Sequence, residues 1–459
     1  MKKNILMVFS SNLIKAMVTF ITAFIVPMVL SVEAYGYYKV FAFYASYIGV
    51  AHLGFCDGVY LKYGGKRINE IDDNEVAKEG STLFWYNIVV TLGFVLVGLV
   101  RHDFIIVCLG LSVVPVIMYT FYTYIYQATG AFDKYTMIMN ISTLSNLIFN
   151  LVLVLLKVRI YQLYILAYVG MQFVSFIAGT ISLKKNKWIH LSRFDKSIFV
   201  KYVKLGILLM VGNFAYTLFM GIDKWFIQFT MSIRDFSMYS FAGQMLTVVN
   251  MFITPISMTL YSNLSRRKDH EFEKKLKRIL LCVLMIIPIA IYALTFIIDA
   301  YMQKYKPAIQ ITSLLLITQI FLSLNMAVYV NLYKAYKKQN QYFFRLLGAL
   351  GIATGTDLLV AIIHPNTVAY AFATLISCLI WLGINTSYFN YLKPDLKEIL
   401  YVVALLGIHI GSNLVPNQFV RTGIYIVWYL ILTRLLMRDE WNYGIDQIKQ
   451  IEKKVIRTR

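Results

Sequence analysis

Of the chain's 459 residues, 59% are hydrophobic and only 15% charged, and 44 Lys and Arg against 23 Asp and Glu leave a formal net charge of +21. Such a composition excludes a water-soluble globular surface, and it leaves no soluble basic face on which nucleic acid would bind. The four cysteines, Cys56, Cys108, Cys282 and Cys378, fall singly in or at the ends of apolar stretches. Without pairing or metal-ligand spacing they read as small apolar fillers.

Apolar stretches of about 18 to 25 residues recur about fourteen times, which suits helices crossing a hydrocarbon core about 30 Å thick. They are too long and too continuously apolar for barrel strands. In chain order, helices are expected at about 5–30, 37–60, 81–100, 104–127, 136–156, 160–182, 206–230, 237–261, 279–298, 309–333, 342–363, 368–391, 398–415 and 422–437. The first is too long for a signal-peptide core and is followed by no small-residue cleavage site, so it counts as a helix. Lys62, Lys66, Arg67 and Lys78 fill the second link, seven Lys and Arg the one after the sixth helix, and seven more, from Arg266 to Arg278, the one after the eighth. The intervening links are nearly bare. The positive-inside bias then places both termini in the cytoplasm. The expected class is an all-α polytopic membrane protein.

Shifting the chain by 201 residues pairs S-V-E-A-Y-G-Y-Y at 31–38 with S-I-R-D-F-S-M-Y at 232–239, Asn12 with Asn213, and Tyr60 with Tyr261. Six helices intervene, so the two copies run parallel, and transporters bind substrate at such repeat interfaces. The expected organisation is a six-helix lobe at 1–182, a cytoplasmic linker at 183–205, a second six-helix lobe at 206–391, and two extra helices with a tail at 392–459. Within the linker, Phe194, Ile198 and Tyr202 recur every four residues behind Ser192 and Asp195, which predicts a short capped helix on the inner surface. The tail, with Ile445, Ile448, Ile451 and Val455, carries a similar pattern.

Polar residues inside the apolar stretches are the candidate site. Lys15 sits near mid-membrane on the first helix, where a charge costs about 2.5 to 3.5 kcal/mol on insertion scales. Asn12, Lys15, Thr19 and Thr22 share one face about 80° wide. Further stripes are Asn140, Thr143, Asn146 and Asn150 on the fifth helix, and Gln244, Thr247, Asn250, Thr254 and Ser257 on the eighth. Asn213, with Asp223 and Lys224, lies on the seventh. Interhelical hydrogen bonding explains any one of these residues, at about 0.6 kcal/mol on average. Stripes on matching helices of both halves point instead to a hydrated central cavity. His52, Asp57, Asp223, Lys224, Arg345 and Asp357 are candidates for coupling or gating, and His409 reads more simply as a satisfied core histidine. Pro27, Pro115, Pro255 and Pro288 lie within helices, where they favour kinks.

Other chemistry is missing. A P-loop around Gly65 and Lys66 would need Gly at 60 and Ser or Thr at 67, where the chain has Tyr60 and Arg67. The six histidines have no metal-ligand spacing, so neither a metal nor a cofactor is expected. No extracytoplasmic link is long enough for an external catalytic domain, and the chain is not expected to be an enzyme.

The opening S-N-L-I-K, the 31–38 link, H-L-G-F-C-D-G-V-Y-L-K-Y-G-G-K at 52–66, Y-Q-A-T-G-A-F at 126–132 and G-I-D-K-W-F-I at 221–227 together resemble the Wzx-type oligosaccharide flippases of the multidrug/oligosaccharidyl-lipid/polysaccharide exporter superfamily. The resemblance spans essentially the whole chain. It implies a MATE-like fold of two six-helix lobes around a cavity, alternating access, and a place in the bacterial cytoplasmic membrane. The implied cargo is a polyprenyl-pyrophosphate-linked oligosaccharide moved to the outer leaflet for polysaccharide assembly. Membrane lipids, a polysaccharide polymerase and chain-length machinery are the implied partners. Substrate contacts are then expected from Lys15, Asn12, Thr19, Thr22, Asn213, Asn146, Asn150, Gln244 and Asn250. Lipid II flippases of the superfamily carry several arginines where this chain has the single Lys15, which argues against lipid II. The drug-exporting relatives carry an acidic cation site, for which the first six helices offer Asp57, so drug or cation antiport is the runner-up, with a lipid II flippase kept as the other alternative.

Overall fold

The computed structural model describes residues 2–184, 191–266 and 269–446, with side chains left out at 2–6, 184, 248, 251, 252, 254–256, 258, 259, 261–263, 265 and 266. No strand occurs among the described residues. The helices are α1 (Lys2–Val29), α2 (Val32–Ala45), α3 (Phe55–Tyr63), α4 (Asp73–Val100), α5 (Phe104–Ala128), α6 (Phe132–Leu155), α7 (Tyr161–Lys184), α8 (Lys196–Phe219) and α9 (Ile222–Thr230). They continue as α10 (Ile233–Arg266), α11 (His270–Leu284), α12 (Ile287–Tyr301), α13 (Ala308–Leu324), α14 (Val330–Ala335), α15 (Gln339–Ile363), α16 (Thr367–Tyr388), α17 (Leu396–Ser412) and α18 (Gln418–Leu436).

Short polar links start these helices because their side chains satisfy backbone donors that the first turn leaves unpaired. The Asp72 carboxylate accepts from Asn74 N at 2.9 Å, Asp103 from Ile105 N at 2.8 Å, Asp195 from Ser197 N at 2.8 Å and Asp269 from Glu271 N at 3.0 Å. The repeat is visible here. Ser31 Oγ caps α2 by accepting from Ala34 N at 3.1 Å, and Ser232 Oγ caps α10 by accepting from Asp235 N at 3.2 Å.

All fourteen expected stretches are helical, but not all are simple spans. Among the described residues, eleven helices are long and apolar enough to cross a membrane, or twelve counting the bent pair Val32–His52 and Phe55–Tyr63, so the chain is a multi-pass membrane protein. The α10 helix, which carries the polar Gln244 stripe, and the 17-residue α17 are not among them. The expected helix at 37–60 bends by 60° at Leu53 and Gly54, whose φ angles of 50° and 85° are left-handed. That at 206–230 breaks at Gly221 into α8 and α9, and that at 279–298 breaks between α11 and α12, with Pro288 in the first turn of α12. Pro27 and Pro115 lie inside α1 and α5.

The surface helix expected at 192–202 is corrected. Asp195 does cap a helix, but that helix is α8 itself, which runs on without a break to Phe219. Tyr202 packs inward from it rather than onto a membrane surface. The tail pattern beyond 446 lies outside the described residues.

By internal contacts the chain divides into two compact units, Met1–Phe241 and Ala242–Arg459. The core of the first is built on Phe41, Phe55, Ile117, Phe121, Ile125 and Tyr126, all essentially inaccessible. Outward-facing residues such as Val89, Leu155 and Ile363 are apolar and exposed, as a lipid-facing surface requires.

Candidate functional site

At about 100° per residue, Asn12, Lys15, Thr19 and Thr22 fall within about 80° of one another on α1. The exposed Leu13, Met17, Phe20, Ile21 and Met28 take the opposite side. Lys15 is exposed too, so it opens onto something other than the apolar face. Among the described residues its ammonium has no ion pair or hydrogen bond. The Thr19 hydroxyl donates to Lys15 O at 2.8 Å and that of Thr22 to Val18 O at 2.9 Å, so both turn back onto their own helix. Asn12 is half-buried, and no bond joins it to Lys15.

The α1 helix packs along α6. There Asn150 Nδ2 donates to Asn146 O at 2.8 Å and Asn146 Oδ1 at 2.6 Å, and Thr143 Oγ1 donates to Met139 O. The buried Oδ1 atoms of Asn140 and Asn150 have no donor among the described residues. Both oxygens keep acceptor capacity but are enclosed, with essentially no accessible surface.

Asn213 lies on α8 within about 20° of Tyr202 by helical spacing, yet Tyr202 is buried and Asn213 exposed. No bond joins Asn213 to Lys15. Beyond the break at Gly221, Asp223 on α9 is buried, accepting from Tyr239 OH at 2.5 Å and from Lys224 N at 2.7 Å. The α9 helix is held against α2 by Trp225, whose ring lies 5.0 Å from Phe43, 5.3 Å from Tyr44 and 5.5 Å from Tyr47. This packing makes Lys224 a like-charged neighbour of Lys39 on α2. Lys39 lies over the rings of Tyr35 and Tyr38, at 5.2 and 5.6 Å. Sequence reading missed Lys39, which looks like an interfacial lysine among tyrosines.

The repeated turns at 31–36 and 231–236 touch each other. Arg234 Nη1 lies 3.8 Å from Glu33 Oε1, and a Cβ added to Gly36 would come within 2.6 Å of Ile233 O.

The bend in the second span carries the His52 and Asp57 pair. Both are buried, with His52 Nε2 at 3.8 Å from Asp57 Oδ2. Since His52 Nδ1 accepts from Gly54 N at 3.0 Å, a neutral ring carries its proton on Nε2, facing the carboxylate. Beyond the bend, α3 presses on α8 through glycines. A Cβ on Gly58 would overlap the Tyr202 carbonyl, and one on Gly206 the Gly54 carbonyl, the close backbone approach that small residues permit in membranes.

Below that crossing sits a second missed group. Glu79 on α4 is fully buried and accepts from Lys62 Nζ at 2.7 Å, Tyr63 OH at 2.9 Å and Tyr202 OH at 2.5 Å. Lys62 also pairs with Glu75. This group ties α3, α4 and α8 together, and only its short carboxylate-after-link position hints at it in the sequence.

In the second unit several polar side chains meet one another, while the buried Gln319 Oε1 and Asn325 Nδ2 have no partner among the described residues. Gln319 Nε2 donates to Asn250 Oδ1 at 2.7 Å and Ser323 Oγ at 2.8 Å, Asn331 Nδ2 to Ser257 O at 2.9 Å, and Asn385 Nδ2 to Asn325 Oδ1 at 3.0 Å. Gln244 is half-buried and Thr247 exposed; Thr254's side chain lies outside the described set. Arg345 stacks on the Tyr388 ring at 4.2 Å, and Asp357 is buried one turn beyond Ala353. Arg345 and Asp357 form no ion pair with each other. His409 meets Tyr292 OH at 2.9 Å and Ser313 Oγ at 3.2 Å, a core histidine with both nitrogens satisfied. The buried Lys277 pairs with Glu398 at 2.6 Å, fastening α17 to α11.

The sequence matches no protein-family model and no curated protein. Solved structures do match. Lipid II flippase MurJ in an inward closed conformation superposes with a TM-score of 0.70 at 15% identity, over 96% of this chain and 99% of that one. An inward-facing multidrug resistance MATE family transporter of the MOP superfamily gives 0.55 at 10% identity, over 82% and 99%. The MATE multidrug transporter DinF-BH gives 0.55 at 12%, over 85% and 95%. The chain has the fold of these membrane transporters.

Proposed function

We propose that this chain is a flippase that carries polyprenyl-pyrophosphate-linked oligosaccharide repeat units from the inner to the outer leaflet of the bacterial cytoplasmic membrane, for surface polysaccharide assembly. The observation that carries the reading is Lys15, a cation without a counter-ion among the described residues, on the polar face of α1, a helix that packs along the asparagine-bearing α6. An intramembrane cation without a partner is costly unless a ligand anion supplies one. Pyrophosphate supplies the anion and sugar hydroxyls the donors. Two negative charges leaving a cell interior held about 100 mV negative gain roughly 4 to 5 kcal/mol, so the membrane potential favours export.

The working cycle is alternating access by fourteen spans with both termini cytoplasmic. The touching turns at Glu33 and Arg234 form its outer closure, and no enzymatic step is involved. A polysaccharide polymerase and its chain-length machinery would take up the product. Fold likeness to a lipid II flippase and to drug transporters supports the transport class; the cargo rests on the α1 face. The buried His52 and Asp57 pair favours the second reading, an antiporter of drugs or cations coupled through that carboxylate.

The test is reconstitution in vesicles under an imposed potential. A fluorescent polyprenyl-pyrophosphate oligosaccharide should become accessible in the far leaflet in a protein-dependent way. Translocation of cationic dyes with no movement of the lipid-linked sugar would select the antiporter.

A further inference from the structure

Residues 191–195 cross the flank of α4 as a strap. Ser192 N donates to Ser81 Oγ at 3.1 Å, Trp85 Nε1 donates to Ser192 O at 3.0 Å, and Asp195 N donates to Thr82 Oγ1 at 3.3 Å. Between strap and helix lies a groove of about 660 Å³, walled by Trp85, Tyr86, Val89, Leu191 and Phe194 with Arg193 at its rim. Leu191 also lines an apolar cleft of about 220 Å³ that continues inward between α4, α5 and α7. Trp85, Val89, Leu191 and Phe194 are all exposed large apolar or aromatic side chains.

The place and charge of this groove narrow its occupant. Trp85 stands where the polar first turns of α4 give way to its apolar run, the level at which tryptophan anchors a membrane interface. Around the strap, Arg193, Lys196, Lys201 and Lys204 are exposed. The acid within the strap, Asp195, is exposed and caps α8 by accepting from Ser197 N and Ile198 N. No carboxylate lines the groove among the described residues. An apolar slot at the interface, with Arg193 in its lining and four exposed cations against the single Asp195 around the strap, fits one amphiphile best, a lipid with an anionic head group.

We infer that the strap and α4 form a site for an anionic phospholipid of the inner leaflet, its acyl chain lying along Trp85, Val89 and Phe194 and its phosphate on Arg193 beside Lys196. Each interfacial Lys or Arg is worth about fivefold in affinity for an anionic surface. Because the strap leads without a break into α8 and is bonded to α4, the lipid braces the junction between the first seven helices and α8. This site is separate from the Lys15 face, and its test does not depend on the cargo.

The full-length protein is placed in phosphatidylcholine vesicles containing a small share of either brominated phosphatidylglycerol or brominated phosphatidylcholine. Trp85 quenching is read as the difference between wild type and Trp85→Phe. Brominated phosphatidylglycerol should quench this component at a mole fraction at least about fivefold lower than brominated phosphatidylcholine does. In the doubly substituted Arg193→Ala, Lys196→Ala protein, whose two altered side chains are exposed, the two lipids should quench alike, with the size-exclusion profile unchanged. Equal quenching in wild type, or a preference that survives the double substitution, overturns the site. So does a Trp85 component shielded from both lipids and from aqueous acrylamide, since protein rather than lipid would then cover the groove.

Discussion

On α10, Asn250 is met by Gln319 of α13 at 2.7 Å, and Gln319 passes a second bond to Ser323. On α1, the stripe built to the same helical spacing meets no such partner among the described residues: Lys15 stands exposed, and the hydroxyls of Thr19 and Thr22 fold back on their own helix. A polar stripe in an apolar helix thus has two outcomes. Where a neighbouring helix brings a complementary side chain, the stripe is consumed in packing and holds helices together. Where none is brought, the polar groups stay available, which on the proposed reading is where a ligand would meet them.

Separating activity from stability at these two places tests the contrast. The largest effect is expected at Lys15. Lys15→Ala should lower transport by about 10- to 100-fold, the worth of a charged hydrogen bond of about 1.5 to 3 kcal/mol, with normal membrane insertion and thermal stability. Lys15→Arg should keep part of the activity, since charge survives but shape does not. Surface polysaccharide in a strain dependent on this chain, together with protein level, reports both.

Next comes Gln319→Ala, which removes the amide that donates to Asn250 Oδ1 and Ser323 Oγ. Stability should drop by about 1 to 3 kcal/mol, read by thermal unfolding in detergent, while transport per folded molecule is kept. Lost activity at full stability would place Gln319 among the ligand contacts and erase the contrast. The smallest effect belongs to Thr19→Val, whose hydroxyl serves only Lys15 O on the same helix. It should change stability by less than about 0.5 kcal/mol and transport by less than about twofold.

The helices were legible because their signal is local: twenty apolar residues and a capping Asp, Asn or Ser suffice. The repeat was legible for the same reason, since Ser31 and Ser232 cap matching helices. The breaks were less so. Leu53 adopts a left-handed φ without being glycine, and the turn at Gly221 looks in sequence like a continuous apolar run. Within the site, the residue types were readable and their partners were not. Nothing along the chain tells that Asn250 has Gln319 opposite it, that Asn146 and Asn150 bond each other, or that Glu79 gathers Lys62, Tyr63 and Tyr202 from two other helices. Those pairings depend on helix rotation and register, which the sequence encodes only through the whole packing. Lys39 escaped notice because a lysine between tyrosines has the signature of an interfacial anchor, and only the docking of α9 reveals Lys224 beside it.

The central claim is that α1 presents a cation for the pyrophosphate of a lipid-linked sugar, and binding tests it more directly than transport. Purified wild type and Lys15→Ala protein would be titrated with a short-chain polyprenyl pyrophosphate and, in parallel, with the uncharged polyprenol, following binding by native mass spectrometry. The account predicts that wild type prefers the pyrophosphate by at least about 10-fold and that Lys15→Ala loses this preference while retaining the polyprenol. Equal pyrophosphate binding by the two proteins would contradict it and return Lys15 to an ordinary place on a helix surface.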